Sequence, residues 1–474
     1  MGGGTGAGAA MSSPELAGRA VLVAGAGVTG RSVAAALAEA GATVTVTDGD
    51  ADRLAELEPL GVELVPGLTA PPEGTSLVVT SPGWRPAAPL LVAAADRGVE
   101  VIGDVELAWR IGRHRARPPV WLAVTGTNGK TTTVGMLESI LRAAGRDAVA
   151  CGNVGFAVLD AVRAGHEVLA VELSSYQLYW SRTLAPAASV VLNVAEDHLD
   201  WHGSMAAYAA AKGRIHERSG TVVHTVGDAW STRLATDHAP AGATHVGCTL
   251  AVPRPGELGV VEDLLVDRAF VADPRTGAEE LAGLADVRPA GPHNVTNALA
   301  AAALARATGL PAEAVAEGLR RYRPAAHRAV EVGEVAGVRY VDDSKATNPH
   351  AAAGSLLAHA SVVWIAGGQL KGASVDELVA AVADRLRGVV LLGADADVIA
   401  AALARHAPDV PVQRLLSGDD DPMTAAVRLA GGMARPGDVV LLAPAAASLD
   451  MFRDYAHRGD AFVAAVRALA ADGR

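Results

Sequence analysis

Gly126-Thr127-Asn128-Gly129-Lys130-Thr131-Thr132-Thr133 follows the apolar run Val120-Trp121-Leu122-Ala123-Val124 and leads into the helical pattern Val134–Ala144. Strand, glycine loop and helix in that order are the setting of a phosphate-binding loop. Glycines let backbone N–H groups curl round a phosphate where a side chain would block the approach. The helix N-terminus adds roughly half a positive charge, and Lys130 adds a full one at the β- and γ-phosphates. A hydroxyl from Thr131 or Thr132 can then hold Mg2+. The usual pattern has a further glycine five residues before the second one, and Val124 stands there instead.

An acidic metal ligand is expected at the end of a neighbouring strand. The strand-like run Val168–Val171 leads into Glu172-Leu173-Ser174-Ser175, and Ser189–Leu192 leads into Asn193-Val194-Ala195-Glu196-Asp197-His198. Carboxylates suit Mg2+, which prefers oxygen but tolerates one nitrogen. A single acidic residue at a strand end is as often a helix cap; two clusters behind one phosphate loop favour the metal.

Apolar β-type runs alternate with Ala/Leu-rich helical stretches along the whole chain, which predicts an α/β protein with parallel sheets. At 474 residues, the length implies about three domains. The expected blocks are residues 14–113, 114–322 and 323–474, the first ending in the basic stretch Arg113-His114-Arg115-Ala116-Arg117-Pro118-Pro119. Met1–Ser13 carries no charged side chain and reads as a disordered tail rather than a secretory signal. No apolar run reaches the ~18 residues needed to span a bilayer unbroken, so a soluble protein is expected. A net charge of -12 argues against a nucleic-acid or anionic-membrane surface, while leaving nucleotide binding to local loops. Cys151 and Cys248 are too few for a disulfide framework and point to a reducing compartment.

A second glycine loop, Gly25-Ala26-Gly27-Val28-Thr29-Gly30, follows the strand-like Ala20–Ala24 and precedes Asp48 by 18 residues. By itself this is a dinucleotide fingerprint, so a nicotinamide-dependent oxidoreductase is a rival reading. A complete phosphate-loop block has no role in hydride transfer, and the geometry that holds the pyrophosphate of NAD can equally hold the diphosphate of UDP.

These motifs resemble the Mur ligases, which add amino acids to UDP-N-acetylmuramic acid, and their folylpolyglutamate synthetase relatives. The shortened phosphate loop is similar to theirs, as are Gly152-Asn153-Val154-Gly155, Glu172-Leu-Ser-Ser, Glu196-Asp197-His198, Gly291-Pro-His293-Asn294-Val-Thr-Asn297 and His327-Arg328. Within the family, Asp342-Asp343-Ser344-Lys345-Ala346-Thr347-Asn348-Pro349 and the run Leu442–Phe452 resemble the glutamate-adding branch. Another amino acid or acceptor within the superfamily is the nearer alternative. The resemblance implies three α/β domains: a Rossmann-like one for UDP, a central ATPase-like one, and a C-terminal Rossmann-like one for the amino acid. It implies a cytoplasmic monomer that uses ATP, Mg2+ (two ions), UDP-N-acetylmuramoyl-L-alanine and D-glutamate.

The roles implied are as follows. Gly126, Thr127, Asn128, Gly129, Lys130, Thr131 and Thr132 would cradle ATP, with Asn294 and Asn297 at adenine, Asp343 at ribose and Arg328 at the transferred phosphoryl group. Thr131, Glu172 and His198 would lie in the metal shells, with Lys212 as a carbamylated lysine. Gly27, Thr29, Gly30, Asp48, Ser81, Pro82, Gly83, Asn153 and Ser174 would hold the UDP-sugar. Thr347, Lys371, Ser448 and Tyr455 would hold glutamate, Tyr455 standing where the family often has Phe. A carboxylate is a poor acyl donor, so ATP would convert it to an acyl phosphate that the amine attacks. Charge builds up in that step, and Lys130, Arg328 and Mg2+ would answer it, with Lys130, His198, Lys212 and Arg328 as the catalytic group. The third block would have to close on ATP bound to the second.

Overall fold

Short, continuously apolar runs buried on both faces are what parallel strands demand, and three sheets are built this way in the computed structural model. The structure describes residues 15–415 and 421–472; the tail expected over Met1–Ser13 lies outside them. The first sheet holds β1 (Ala20–Ala24), β2 (Thr43–Thr47), β3 (Glu63–Leu64), β4 (Leu77–Thr80) and β5 (Glu100–Gly103) in the order β3-β2-β1-β4-β5. All its pairings are parallel.

The second sheet holds β6 (Val120–Thr125), β7 (Ala148–Gly152), β8 (Val168–Glu172), β9 (Ala188–Val191), β10 (Thr221–Thr225) and β11 (Thr244–Cys248), followed by β12 (Glu257–Val261), β13 (Leu264–Asp267) and β14 (Glu279–Gly283). Its order is β14-β13-β12-β11-β10-β9-β6-β8-β7, parallel except that β12, β13 and β14 pair antiparallel. That antiparallel extension was not expected from the sequence; its strands are short and separated by turns rather than by helices, so they meander.

The third sheet holds β15 (Val330–Val335), β16 (Val338–Asp342), β17 (Val362–Gly367), β18 (Leu386–Leu392), β19 (Val412–Arg414) and β20 (Val439–Leu442) in the order β15-β16-β20-β17-β18-β19. Only β15 runs antiparallel to its neighbour. The chain forms two compact units. One runs to Asp286 and includes Thr296–Arg321, with the first two sheets; the other holds Val287–Val295 and continues from Tyr322, with the third.

The helix behind the phosphate loop begins at Lys130 and runs to Ala143, four residues earlier than the apolar pattern predicts. Gly129 caps it in a left-handed conformation (φ 85°), and the Thr133 hydroxyl donates to the Gly129 carbonyl at 3.0 Å. Polar threonines therefore occupy the first turn, where hydrophobic periodicity gives no signal. The helix buries Val134, Met136, Leu137, Ile140 and Leu141, helical spacing that lays one face on the sheet. On another face it meets the helix Ala312–Arg321 so closely that a Cβ at Gly318 would collide with the Ile140 backbone. Truncating Leu137 or Ile140 to Ala would cost ~2–5 kcal/mol.

In both α/β sheets of the first unit, strand order reverses at the strand that carries a glycine loop. β1 lies between β2 and β4, and β6 lies between β9 and β8. Such switch points open a crevice at strand C-termini, where ligands bind.

Candidate active site

The phosphate loop leaves β6 at its C-terminal end, pinned by the strands on either side. Asn193, just after β9, accepts from the Asn128 backbone N–H at 2.9 Å and donates its amide to the Asn128 carbonyl at 3.1 Å. Thr127 shares a 3.0 Å hydrogen bond with Tyr208 and accepts from the Ala195 N–H, also at 3.0 Å. On the β8 side, Thr131 donates its hydroxyl to Glu172 at 2.6 Å, and Asn153 donates to the other Glu172 oxygen at 3.0 Å. Thr131 thus reaches the acidic residue, while Thr132 is buried.

Lys130 Nζ lies 2.9 Å from the carbonyl oxygens of Gly126 and Thr127. Lys212, fully buried on the helix Met205–Gly213, donates to the same Gly126 carbonyl at 2.9 Å. Burial, with the Lys130 charge beside it, holds the Lys212 amine well below its usual range. His198 precedes a short helix in a left-handed conformation (φ 54°) and packs its ring on Tyr176 at 4.9 Å and on Tyr208 at 6.1 Å. Desolvation first, then the charges of Lys212 and Lys130, lower its pKa against the opposing pull of Asp197. A Cβ at Gly129 would strike the Asn297 amide oxygen, so Asn297 sits directly over the loop.

Mg2+ commonly takes one or two protein carboxylates and fills its remaining positions with phosphate oxygens and water. Among the described residues no group of three or more His, Cys, Asp or Glu side chains is placed to hold a metal by itself. The oxygens of Thr131 and Glu172, already paired at 2.6 Å beside the phosphate loop, form a donor set that fits a hard cation arriving with a triphosphate.

At the other switch point a pocket of about 340 Å3 is lined by Gly25, Gly27, Val28, Thr29, Asp48, Arg53, Ser81, Pro82, Gly83 and Trp84. Gly30 lies beneath it, where a Cβ would collide with the Gly25 carbonyl. Asp48 turns its carboxylate inward, accepting from the backbone N–H groups of Ala26 at 2.7 Å and Asp50 at 3.0 Å, and so shapes the loop. Ser174 caps the helix Ser175–Tyr179 through a capping box with Gln177. Asn294 sits inside the first turn of the helix Pro292–Arg306 rather than at its cap, one turn before Asn297.

The third sheet gathers the remaining candidates at the C-terminal ends of β16, β20 and β17. Asp343 follows β16, accepts from the Ala329 N–H at 3.1 Å, and has its pKa pushed up to about 6 by desolvation, against the pull of the Ser355 hydroxyl and the Ala329 N–H and, least, the charge of Arg328. Thr347 lies in the same loop. Ser448, buried, lies in the loop after β20, which pairs through Ala447 with Gln369 in the loop after β17. That loop continues to Lys371 in a left-handed conformation (φ 53°). Tyr455 lies under Lys345, whose ammonium is 3.9 Å from the ring centroid.

The chain matches the Mur ligase MurD-like N-terminal domain over residues 19–103, the Mur ligase middle domain over 124–305, and the Mur ligase glutamate ligase domain over 327–446. It is 58% identical to the UDP-N-acetylmuramoylalanine–D-glutamate ligase of Thermobifida fusca, covering 96% of this chain and 100% of that one. This chain belongs to the Mur ligase family. A second Mur ligase relative, of the same printed name, from Streptomyces coelicolor is 57% identical, covering 96% of this chain and 99% of that one. In fold, the chain is similar to the UDP-N-acetylmuramate-alanine ligase of Thermotoga maritima (TM-score 0.56, 19% identity, 95% of this chain and 99% of that one). It is similarly close to a pseudomurein peptide ligase of Methanothermus fervidus (TM-score 0.55, 16% identity, 95% and 100%).

Several residues in this Mur ligase site carried no signal of their own in the sequence. Asn193 and Tyr208 are ordinary polar residues until the fold sets them against Asn128 and Thr127. Arg53 and Trp84 line the first-sheet pocket from elements with no glycine fingerprint. Arg458, on the C-terminal helix, is fully buried and donates to the Ser344 hydroxyl at 3.0 Å, the Ser344 carbonyl at 2.8 Å and the Ala446 carbonyl at 3.1 Å. It ties the loop of Asp343 to the loop of Ser448, which only their adjacency in space reveals.

Proposed function

We propose that this chain joins D-glutamate to UDP-N-acetylmuramoyl-L-alanine, converting ATP to ADP and phosphate, in peptidoglycan synthesis. The observation that carries this reading is the likeness, over nearly the whole chain, to ligases whose names state that reaction. Residues 14–113 would take the UDP-sugar, 114–322 ATP, and 323–474 the amino acid, as a monomer in the cytoplasm. Among the described residues no helix is long and apolar enough to cross a membrane, and both cysteines are buried free thiols, which agrees with a reducing compartment.

The substrate carboxylate attacks the γ-phosphorus of ATP and ADP departs, leaving an acyl phosphate. The amine of glutamate adds to the acyl carbon; the tetrahedral adduct expels phosphate, and the nitrogen loses a proton. On this reading the backbone N–H groups of Gly126–Thr132 and the Lys130 ammonium hold the β- and γ-phosphates, and Asn297 and Asn294 hold adenine. Thr131 and Glu172 would hold Mg2+, with His198 in or near its shell, and the ion supplies charge neutralisation at the transferring phosphoryl group. Lys212, buried and poorly able to hold a proton, is suited to add its neutral amine to carbon dioxide and release one proton, which would place an anion where burial disfavours a cation. Arg328 and Asp343 would serve the phosphoryl group and ribose. Thr347, Lys371, Ser448 and the Tyr455 wall would take glutamate, whose two carboxylates need cations and hydroxyls. Gly27, Thr29, Gly30, Asp48, Ser81, Pro82 and Gly83 would take UDP, with Asn153 and Ser174 toward the sugar.

The test is phosphate release with UDP-N-acetylmuramoyl-L-alanine, ATP and Mg2+, offering amino acids one at a time. Release that depends on D-glutamate is expected. Release with only a different amino acid, or none together with oxidation of a nicotinamide cofactor, would overturn the reading.

A further inference from the structure

The loop after β4 lines the nucleotide pocket with Ser81, Pro82, Gly83 and Trp84, and its next residue, Arg85, points away from that pocket. Backbone bonds from the Trp84 N–H to Ser81 at 3.2 Å and from the Ala88 N–H to Arg85 at 2.9 Å set the turn, and Arg85 also edges an adjoining cleft of about 470 Å3. Its guanidinium makes a two-point contact with a single residue of the central domain. It donates to the Asp200 carboxylate at 2.9 Å and to the Asp200 backbone carbonyl at 3.1 Å. A contact to the backbone as well as the side chain fixes the position of the segment, not merely its charge.

Asp200 belongs to the segment that begins at His198. His198 packs on Tyr208, and Tyr208 shares its hydroxyl bond with Thr127 of the phosphate loop. His202, at the far end of the segment, bonds Ser175 at 2.9 Å and stacks parallel on Tyr176 at 5.6 Å. A contiguous run of contacts thus leads from the pocket wall at Gly83, through Arg85 and Asp200, to His198 and the phosphate loop. Contiguous packing of this kind carries coupling when an element has two arrangements that both ends bias.

We propose that Arg85 is a positioning residue for the ligase reaction: through Asp200 it sets the place of the His198 segment, so that occupancy of the UDP-sugar pocket organises the phosphoryl-transfer side. This rests on the ligase reading above. An exposed ion pair adds little to stability, so the contact shows in kinetics rather than in folding.

The experiment compares wild type with Arg85→Ala, Arg85→Lys, Asp200→Asn and the exchange Arg85→Asp with Asp200→Arg, in D-glutamate-dependent phosphate release and in hydrogen exchange of residues 197–203. Arg85→Ala, which loses both contacts, is expected to lower kcat by a factor of about 5, and Asp200→Asn, which keeps the backbone carbonyl, by a smaller factor. Their thermal midpoints stay within about 1 °C of wild type. Arg85→Lys keeps the charge but not the two-point contact and falls between. The exchanged pair restores the charge pairing but not the donation to the backbone carbonyl at position 200, so it recovers kcat no further than Arg85→Lys does. UDP-N-acetylmuramoyl-L-alanine slows exchange at residues 197–203 in wild type but not in Arg85→Ala. An Arg85→Ala effect confined to the KM of the UDP-sugar, with Asp200→Asn silent, would overturn the proposal by making Arg85 a direct substrate contact. Equal protection of the segment in wild type and Arg85→Ala would overturn it as well. Wild type inactive with D-glutamate would instead sink the ligase reading, and the exchange measurement would still decide the coupling.

Discussion

Lys130 and Lys212 converge on one acceptor, each placing its Nζ 2.9 Å from the Gly126 carbonyl oxygen. Two ammonium groups that close repel, and the one without access to water is the one that yields its proton. Lys212 is fully buried, so of the two it is the one whose amine is held well below its usual range, by desolvation first and then by the Lys130 charge.

The first prediction follows from that asymmetry. Arg in place of Lys212 cannot shed its charge, and Lys212→Arg should lose ~100-fold in kcat/KM, about 2.7 kcal/mol. Protein equilibrated with 13C-bicarbonate should show a carbamate carbon resonance that Lys212→Arg lacks. A resonance surviving in the variant would place the modification elsewhere.

Lys130→Ala removes the cation at the head of the loop. It should cost ~2–4 kcal/mol of transition-state stabilisation, roughly a 30- to 1000-fold drop in kcat/KM, by analogy with losing one preorganised donor. Phosphate release measures it, and near-normal turnover would contradict the role given to this lysine.

Gly129 is held at a φ of 85° with Asn297 against it. Gly129→Ala adds a methyl group that the backbone disfavours and that displaces the Asn297 side chain. ATP affinity should weaken at least ~10-fold, while the circular dichroism spectrum stays native, because strain at one loop residue is worth only ~1–3 kcal/mol. Calorimetric titration with MgATP checks it.

Arg458→Met deletes three buried hydrogen bonds and leaves the Ser344 and Ala446 carbonyls without their donor. A loss of ~2–4 kcal/mol in urea unfolding is expected, with a raised KM for D-glutamate because the loops of Asp343 and Ser448 are no longer tied. An unchanged KM would show that those loops are held by other contacts.

His216 is fully buried, lies 2.8 Å from the Ser189 hydroxyl, and is held down to about 3 by desolvation, with His238, His224 and His245 adding to the effect. The unfolded side chain titrates near 6.5, so between those values the unfolded chain binds the extra proton. This contribution is fully present above about pH 6.5 and is lost as pH falls toward 3, at up to ~1.4 kcal/mol per pH unit. Urea midpoints from pH 7.5 down to 4.5 should show a slope that His216→Gln, neutral throughout, reduces by about one proton. An unaltered slope would refute it.

What could be read along the chain was whatever has a local cause. A glycine where a Cβ would collide with a neighbour in sequence, as Gly30 with Gly25, marks the first glycine loop, and a lysine at a strand–helix junction marks the second. Apolar runs such as Val168–Val171 and Val362–Ala366 marked the buried strands, since a strand covered on both faces tolerates little else. The start of the phosphate-loop helix lies ahead of the apolar pattern because its first turn is threonine, which gives hydrophobic periodicity no signal even though Thr132 and Thr133 are buried. The antiparallel strands β12–β14 were missed because they are short and sit at a sheet edge.

Tertiary structure alone decided which side chains meet. Thr131 and Glu172 are 41 residues apart, and Lys212 is 86 from Gly126; no period or spacing relates them. They are neighbours because strand order reverses at β6, which brings the ends of β8 and β9 to either side of one loop. The lowered pKa of Lys212 belongs to the same category. Only the burial that folding imposes, with Lys130 brought beside it, moves its amine below the ordinary range.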